Sequence, residues 1–140
     1  MSTGIARARE ELFAAHLLGT TGFAAQTVGL AFRAALAAAE AALMLLDRPP
    51  APEPAAVVAA FVRHVVRERG LDPDAGAKLR SLYNRHVQAG ADGAVPQAEA
   101  PLALADATVV IDVVEEWIKT SHRVAEERGP GRAGRARRPR

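Results

Sequence analysis

Apolar residues recur along this chain at i, i+3, i+4 and i+7, and glycine- or proline-rich breaks separate five such runs. The first, about Thr3 to Leu18, puts Ile5, Leu12 and Ala15 or His16 on one stripe, and GTTG at residues 19–22 ends it. The second, about Phe23 to Leu46, is the most apolar. Phe23, Val28, Leu30, Phe32, Leu36, Leu43, Leu45 and Leu46 are spread around it among many alanines. A helix apolar on nearly all sides belongs at the centre of a domain, and alanines let its neighbours approach closely. Gly29 inside it costs about 1 kcal/mol relative to alanine; it either marks a tight crossing or is simply tolerated.

DRPPAPEP at residues 47–54 predicts a loop, because its prolines lack N–H donors and restrict the residues before them. A third helix, about Ala55 to Arg69, is expected to bury Val58, Phe61, Val62, Val65 and Val66. It turns Arg63, Arg67, Glu68 and Arg69 outward and stops at Gly70. Asp72-Pro73 opens a fourth helix as N-cap and first helical residue. Along it Leu79, Leu82, Tyr83, His86 and Val87 form the inward stripe, and Gly90 ends it. GADGAVP at residues 90–96 is a turn-rich loop. The fifth run, about Pro101 to Glu127, carries Leu102, Val109, Val110, Val113, Val114, Trp117 and Ile118. Val109-Val110-Ile111 is locally β-rich but sits inside this helical pattern, so no strand is expected. The predicted fold class is all-α: residues 1–127 form an up-and-down bundle of four to five helices, and residues 128–140 form a disordered Arg-rich tail.

Composition sharpens this picture in three places. With no cysteine, disulfides, thiolate metal sites and thiol catalysis are excluded. The formal charge of +2 conceals an asymmetry: the six arginines of the last thirteen residues account for the basicity, and residues 1–127 carry about −4. The N-terminus is charged from its seventh residue, and the apolar tract Ala34–Leu46 is interrupted by Glu40 and shorter than the ~20 residues of a membrane span. A cytoplasmic protein, with no membrane partner, is therefore expected, and an alanine-rich chain in which arginine outnumbers lysine suggests a bacterial source.

No phosphate loop, HExxH or nucleophile elbow is present, and the one GxGxxG, GPGRAG at residues 129–134, lies in the Arg-rich tail with no strand before it. The four histidines, His16, His64, His86 and His122, fall on four different helices, so neither a metal site nor a cofactor is expected. The densest chemistry lies in LRSLYNRH, residues 79–86, which sets Arg80, Asn84, Arg85 and His86 on the fourth helix. On an ideal helix Arg80 and His86 lie about 120° apart.

Four stretches in this order resemble the HEPN domains (higher eukaryotes and prokaryotes nucleotide-binding), especially small bacterial stand-alone members. These are AFRAALAAAEAAL at residues 31–43, AAVVAAFVRHVVRERGLD at 55–72, LRSLYNRH, and ALADATVVIDVVEEWI at 103–118. Phe32 retains one of the family's paired aromatics, and Arg33 replaces the other. The resemblance implies a helical bundle, usually a homodimer. It also implies metal-independent RNA cleavage in many members, often as toxin–antitoxin components with a nucleotidyltransferase partner. Their motif is an arginine and a following histidine with four to six residues between them. Histidine moves the proton of the 2′-hydroxyl or of the leaving oxygen, and arginine stabilises the phosphorane.

Arg80 and His86 meet that spacing. In the alternative register Arg85 is the family arginine, and the small–Asp–Tyr element that follows falls on Gln88, Ala89 and Gly90 and is lost. The candidate catalytic set is therefore His86 with Arg80 or Arg85, oriented by Asn84. Arg63 and Arg67, with Arg132, Arg135, Arg137 and Arg138 of the tail, are the candidate nucleic-acid contacts. The competing role is a catalytically degenerate bundle that binds a nucleotide or a partner protein. Catalysis predicts His86 and an arginine exposed together in a basic cleft; an interaction module predicts His86 packed in an apolar shell.

Overall fold

The computed structural model describes the backbone of residues 3–49, 51–92 and 95–137, and the side chains of 4–49, 51–90 and 95–123. Five helical stretches form, as the periodicity predicts: α1 (Thr3–Gly19), α2 (Ala24–Leu45), α3 (Pro54–Ala60), α4 (Pro73–Asp92) and α5 (Glu99–Arg137). No strand occurs among the described residues.

α2 packs against every other helix. Its inward face is almost entirely alanine, with Thr27, Val28, Phe32 and Leu43 as the buried larger side chains. Small side chains let the backbones close in: a Cβ added to Gly4 would lie 2.8 Å from that of Ala41, so α1 and α2 touch there with room for glycine alone. Gly29, by contrast, faces open space and marks no crossing. Cross-helix pairs fix the directions. Arg9 meets Asp112, and Gly19 lies against Leu104, so α1 and α5 are antiparallel. Phe32 meets both Tyr83 and His86, and Lys78 and Arg85 face Asp106 and Glu99; α4 is thus joined to both α2 and α5.

α2 is long and apolar enough to cross a membrane by length and composition, a longer apolar element than the Ala34–Leu46 tract suggests. Just over half of its apolar window is buried within the bundle, 56%, as befits a core helix.

Both ends of the third helical stretch are explained locally. Pro54 sits at the first helical position, where its missing N–H costs nothing. From Phe61 to Arg67 the helix widens into a π-helical segment, which periodicity alone does not reveal. The whole helical stretch stops at Gly70, whose φ of 76° suits glycine, with the Gly70 N–H donating to the Val66 carbonyl at 3.1 Å. α4 starts as predicted: the Asp72 carboxylate accepts from the Asp74 N–H at 3.0 Å.

Several inward assignments are corrected. Phe23, Val87 and Leu102 are exposed, and His16 lies outside the α1 stripe, which buries Ile5, Ala8, Leu12 and Ala15. The contact faces of α1, α4 and α5 are narrower than their apolar sequence faces because alanines supply much of the packing. Ala103, Ala107 and Ile111 of α5 are fully buried instead. α5 begins two residues before Pro101, since proline is tolerated in the first turn. Its backbone remains helical to Arg137, through Gly129, Pro130 and Gly131, where neither apolar periodicity nor helix propensity predicts it.

Candidate functional site

The candidate residues of α4 fan out around the helix. Leu79 and Leu82 are fully buried and anchor α4 in the core. Tyr83 and His86, half-buried, lie on the flank that faces α2, where both meet Phe32. The His86 ring stacks on Phe32 with centroids 4.8 Å apart and an interplanar angle of 22°, and Tyr83 meets the same ring at 5.8 Å, tilted by 57°. Such contacts add about 0.5–1.5 kcal/mol beyond area burial. Phe32 is the aromatic that carries part of the family resemblance, so its place beneath His86 joins two stretches far apart in sequence.

Arg85 turns toward α5. Its guanidinium donates to Glu99 and lies 3.9 Å from Asp106, while Lys78 reaches Asp106 at 3.8 Å. Side-chain exposures of 23% for Arg85 and 16% for Asp106 place this network in a partly desolvated seam. The Arg85 Nε is buried without a hydrogen-bond partner. A guanidinium already facing two carboxylates is neutralised for the task of holding a phosphate.

Arg80 points elsewhere again. It is exposed and lines a groove of about 360 Å³ between α4 and the π-helical segment, opposite Arg67 and over Val62, Val66 and Gly76. Neither Arg67 nor Arg80 pairs with an acid among the described residues. A Cβ on Gly76 would meet Val66 at 3.3 Å, so glycine there lets the two walls close up. Asn84 is exposed in a separate shallow depression beside Tyr83, Arg85 and Gln88.

The structure thus joins Arg80 to Arg67, His86 to Phe32 and Arg85 to Glu99 and Asp106, and it puts Arg80 and His86 in different surroundings. Arg63 is exposed and sits 3.8 Å from Glu68. Glu68 also bonds His64 at 3.1 Å, and that hydrogen bond holds its carboxyl below the usual range. Arg132, Arg135 and Arg137 lie on the α5 backbone, but their side chains, and all of Arg138, are outside the described residues. No group of three or more metal-ligating side chains occurs among the described residues.

Sequence reasoning missed the Arg67–Arg80 pairing, because the two residues stand on separate helices and meet only across the groove. It missed the Glu99–Arg85–Asp106–Lys78 seam for the same reason. Asp106 and Lys78 carry no signal in the sequence beyond their charges. Comparison with known families, curated proteins and solved structures finds no match to this chain.

Proposed function

We propose that this chain is an HEPN-like bundle that works in RNA metabolism as a binding module, gripping the RNA backbone with the Arg67–Arg80 groove. The observation that carries this is the pairing of those two exposed arginines, from separate helices, over one groove with no acid between them. Two cations at one groove suit the phosphates of a single strand, and phosphate contacts bring affinity without sequence readout. Arg69, exposed on the same helical stretch, adds a further cation near the groove, whereas Arg63 is shared with Glu68. The six tail arginines would add nonspecific affinity.

The same geometry weighs against a nuclease built within one subunit. A general acid–base histidine must reach the reacting oxygen together with its arginine. Here His86 is stacked on Phe32 and Arg85 is taken up by carboxylates. Endoribonuclease activity would require a second copy to bring an arginine to His86. Homodimerisation and a nucleotidyltransferase partner are what the family resemblance adds. Exposed Phe13 and Leu17, one turn apart on α1, are suited to a protein contact. A bacterial cytoplasmic setting is part of the same proposal.

The test is binding and cleavage of labelled single-stranded RNA by the wild type, Arg67→Ala/Arg80→Ala and His86→Ala. The double variant should bind weakly, with the slope of log K against log salt reduced by about 1.4, two contacts at roughly 0.7 each. No protein should cleave. Cleavage by the wild type that His86→Ala abolishes would establish the nuclease instead, and RNA affinity unchanged in the double variant would remove the groove from function.

A further inference from the structure

α1, the C-terminal half of α2 and α5 line a half-open cavity of about 680 Å³. This is within the 300–1,000 Å³ range of small-molecule sites. Its walls are mainly apolar: Ala37, Ala41, Met44 and Leu45 from α2 and Ile118 from α5. Gly4 closes one edge, where its contact with Ala41 brings α1 against α2. Into this apolar setting α2 projects one half-buried carboxylate, Glu40.

Glu40 makes no hydrogen bond or ion pair with the described residues. The nearby cation, Arg7, lies 3.6 Å from Glu11, a carboxylate that Arg33 also approaches at 3.7 Å. Burial raises the Glu40 carboxyl above the usual range, a shift that Arg7 opposes and Glu11 supports.

A second carboxylate, Asp47, stands at the cavity mouth. It occupies the position just past α2 with φ of 60°, where glycine would be the low-energy residue. Its N–H donates to the Met44 carbonyl at 2.9 Å, and that of Arg48 to the Leu43 carbonyl at 2.9 Å, which completes a Schellman turn. His122 completes the rim.

We propose that this cavity is a binding site for a small amphipathic amine, its hydrocarbon body on the Ala37–Met44–Ile118 wall and its ammonium on Glu40, with Asp47 adding attraction at the mouth. The charge arrangement selects this occupant. Two carboxylates, Glu40 and Asp47, line the cavity against one arginine, Arg7, and neither carboxylate makes an ion pair among the described residues. A carboxylate amphiphile would meet those two acids, and a neutral one would leave the Glu40 charge half-desolvated and unpaired.

The probe is n-octylamine, with n-octanol and n-octanoate as size-matched controls, titrated calorimetrically at neutral pH into the full chain. Octylamine should bind at least about tenfold more tightly than octanol, with octanoate weakest. Glu40→Gln should bring the amine to within about threefold of octanol, whereas Glu116→Gln, an exposed acid outside the cavity, should leave it unchanged. Asp47→Asn keeps the side chain's size and should weaken the amine severalfold without affecting octanol. Equal affinity for amine and alcohol, a preference for octanoate, or equal loss in Glu116→Gln and Glu40→Gln would each overturn the proposal. The site is independent of the RNA groove, so failure at either leaves the other standing.

Discussion

Arg85→Met separates a structural arginine from a functional one. The substitution keeps most of the aliphatic stem and removes the charge that faces Glu99 and Asp106. Removing one partner of a fully buried pair costs about 3–5 kcal/mol, and a fully exposed pair contributes roughly 0–1 kcal/mol. Here the arginine is 23% exposed and Glu99 36%, so an intermediate loss near 2 kcal/mol is expected for the pair. Two features reduce it. Lys78 still faces Asp106, and the substitution also removes the unpartnered Nε, which relieves part of a desolvation cost of about 1 kcal/mol. The net expectation is a loss of about 1.5 kcal/mol, or a fall in Tm of about 4–6 °C for a chain of this size.

Urea unfolding of wild type, Arg85→Met, Glu99→Met and the double variant gives the coupling directly, which should be about 1 kcal/mol. RNA affinity of the folded Arg85→Met protein should stay within about twofold of wild type, since one lost phosphate contact would be visible as a change in salt slope. If Arg85→Met is as stable as wild type and the coupling vanishes, while RNA binding collapses, Arg85 belongs to the ligand site and its pairing with α5 is incidental.

Other expectations follow from local geometry. His86→Ala loses the stack on Phe32 and should destabilise by about 1–2 kcal/mol in urea unfolding; an unchanged midpoint would mean the ring carries no packing role. Gly70→Ala meets no atom within 4 Å, so its cost, about 1 kcal/mol, is purely that of φ at 76°, and a neutral result would show that the turn relaxes. Glu40 has a raised carboxyl pKa in the folded protein, so the folded state binds more protons and stability falls as pH rises through that value. Glu40→Gln should therefore melt higher than wild type at neutral pH, with the gain disappearing below about pH 4, where the unfolded carboxyl is also protonated. A gain of the same size at both pH values would trace to packing. Asp47→Gly should raise Tm by relieving a left-handed backbone while lowering octylamine affinity; a fall in Tm would mean that the aspartate stabilises its own turn.

The local grammar of this chain determined its helices. Asp72-Pro73 announces the start of α4, Gly70 the stop before it, and the proline loop the gap before α3, because capping and backbone restrictions act within a few residues. The all-α class and the central place of α2 were also legible, since apolar periodicity and alanine content are properties of each helix alone. Tertiary structure decided what the polar residues of LRSLYNRH are for. Spacing along α4 set the directions of Arg80, Arg85 and His86 but not what awaits in each direction: Arg67 across a groove, Glu99 and Asp106 on α5, and Phe32 on α2. The Glu40 cavity was equally hidden, because a charge within an alanine-rich helix reads in sequence as an interruption. Its environment comes from Gly4, Ile118 and His122, which are distant in the chain and meet it only when three helices close around one space.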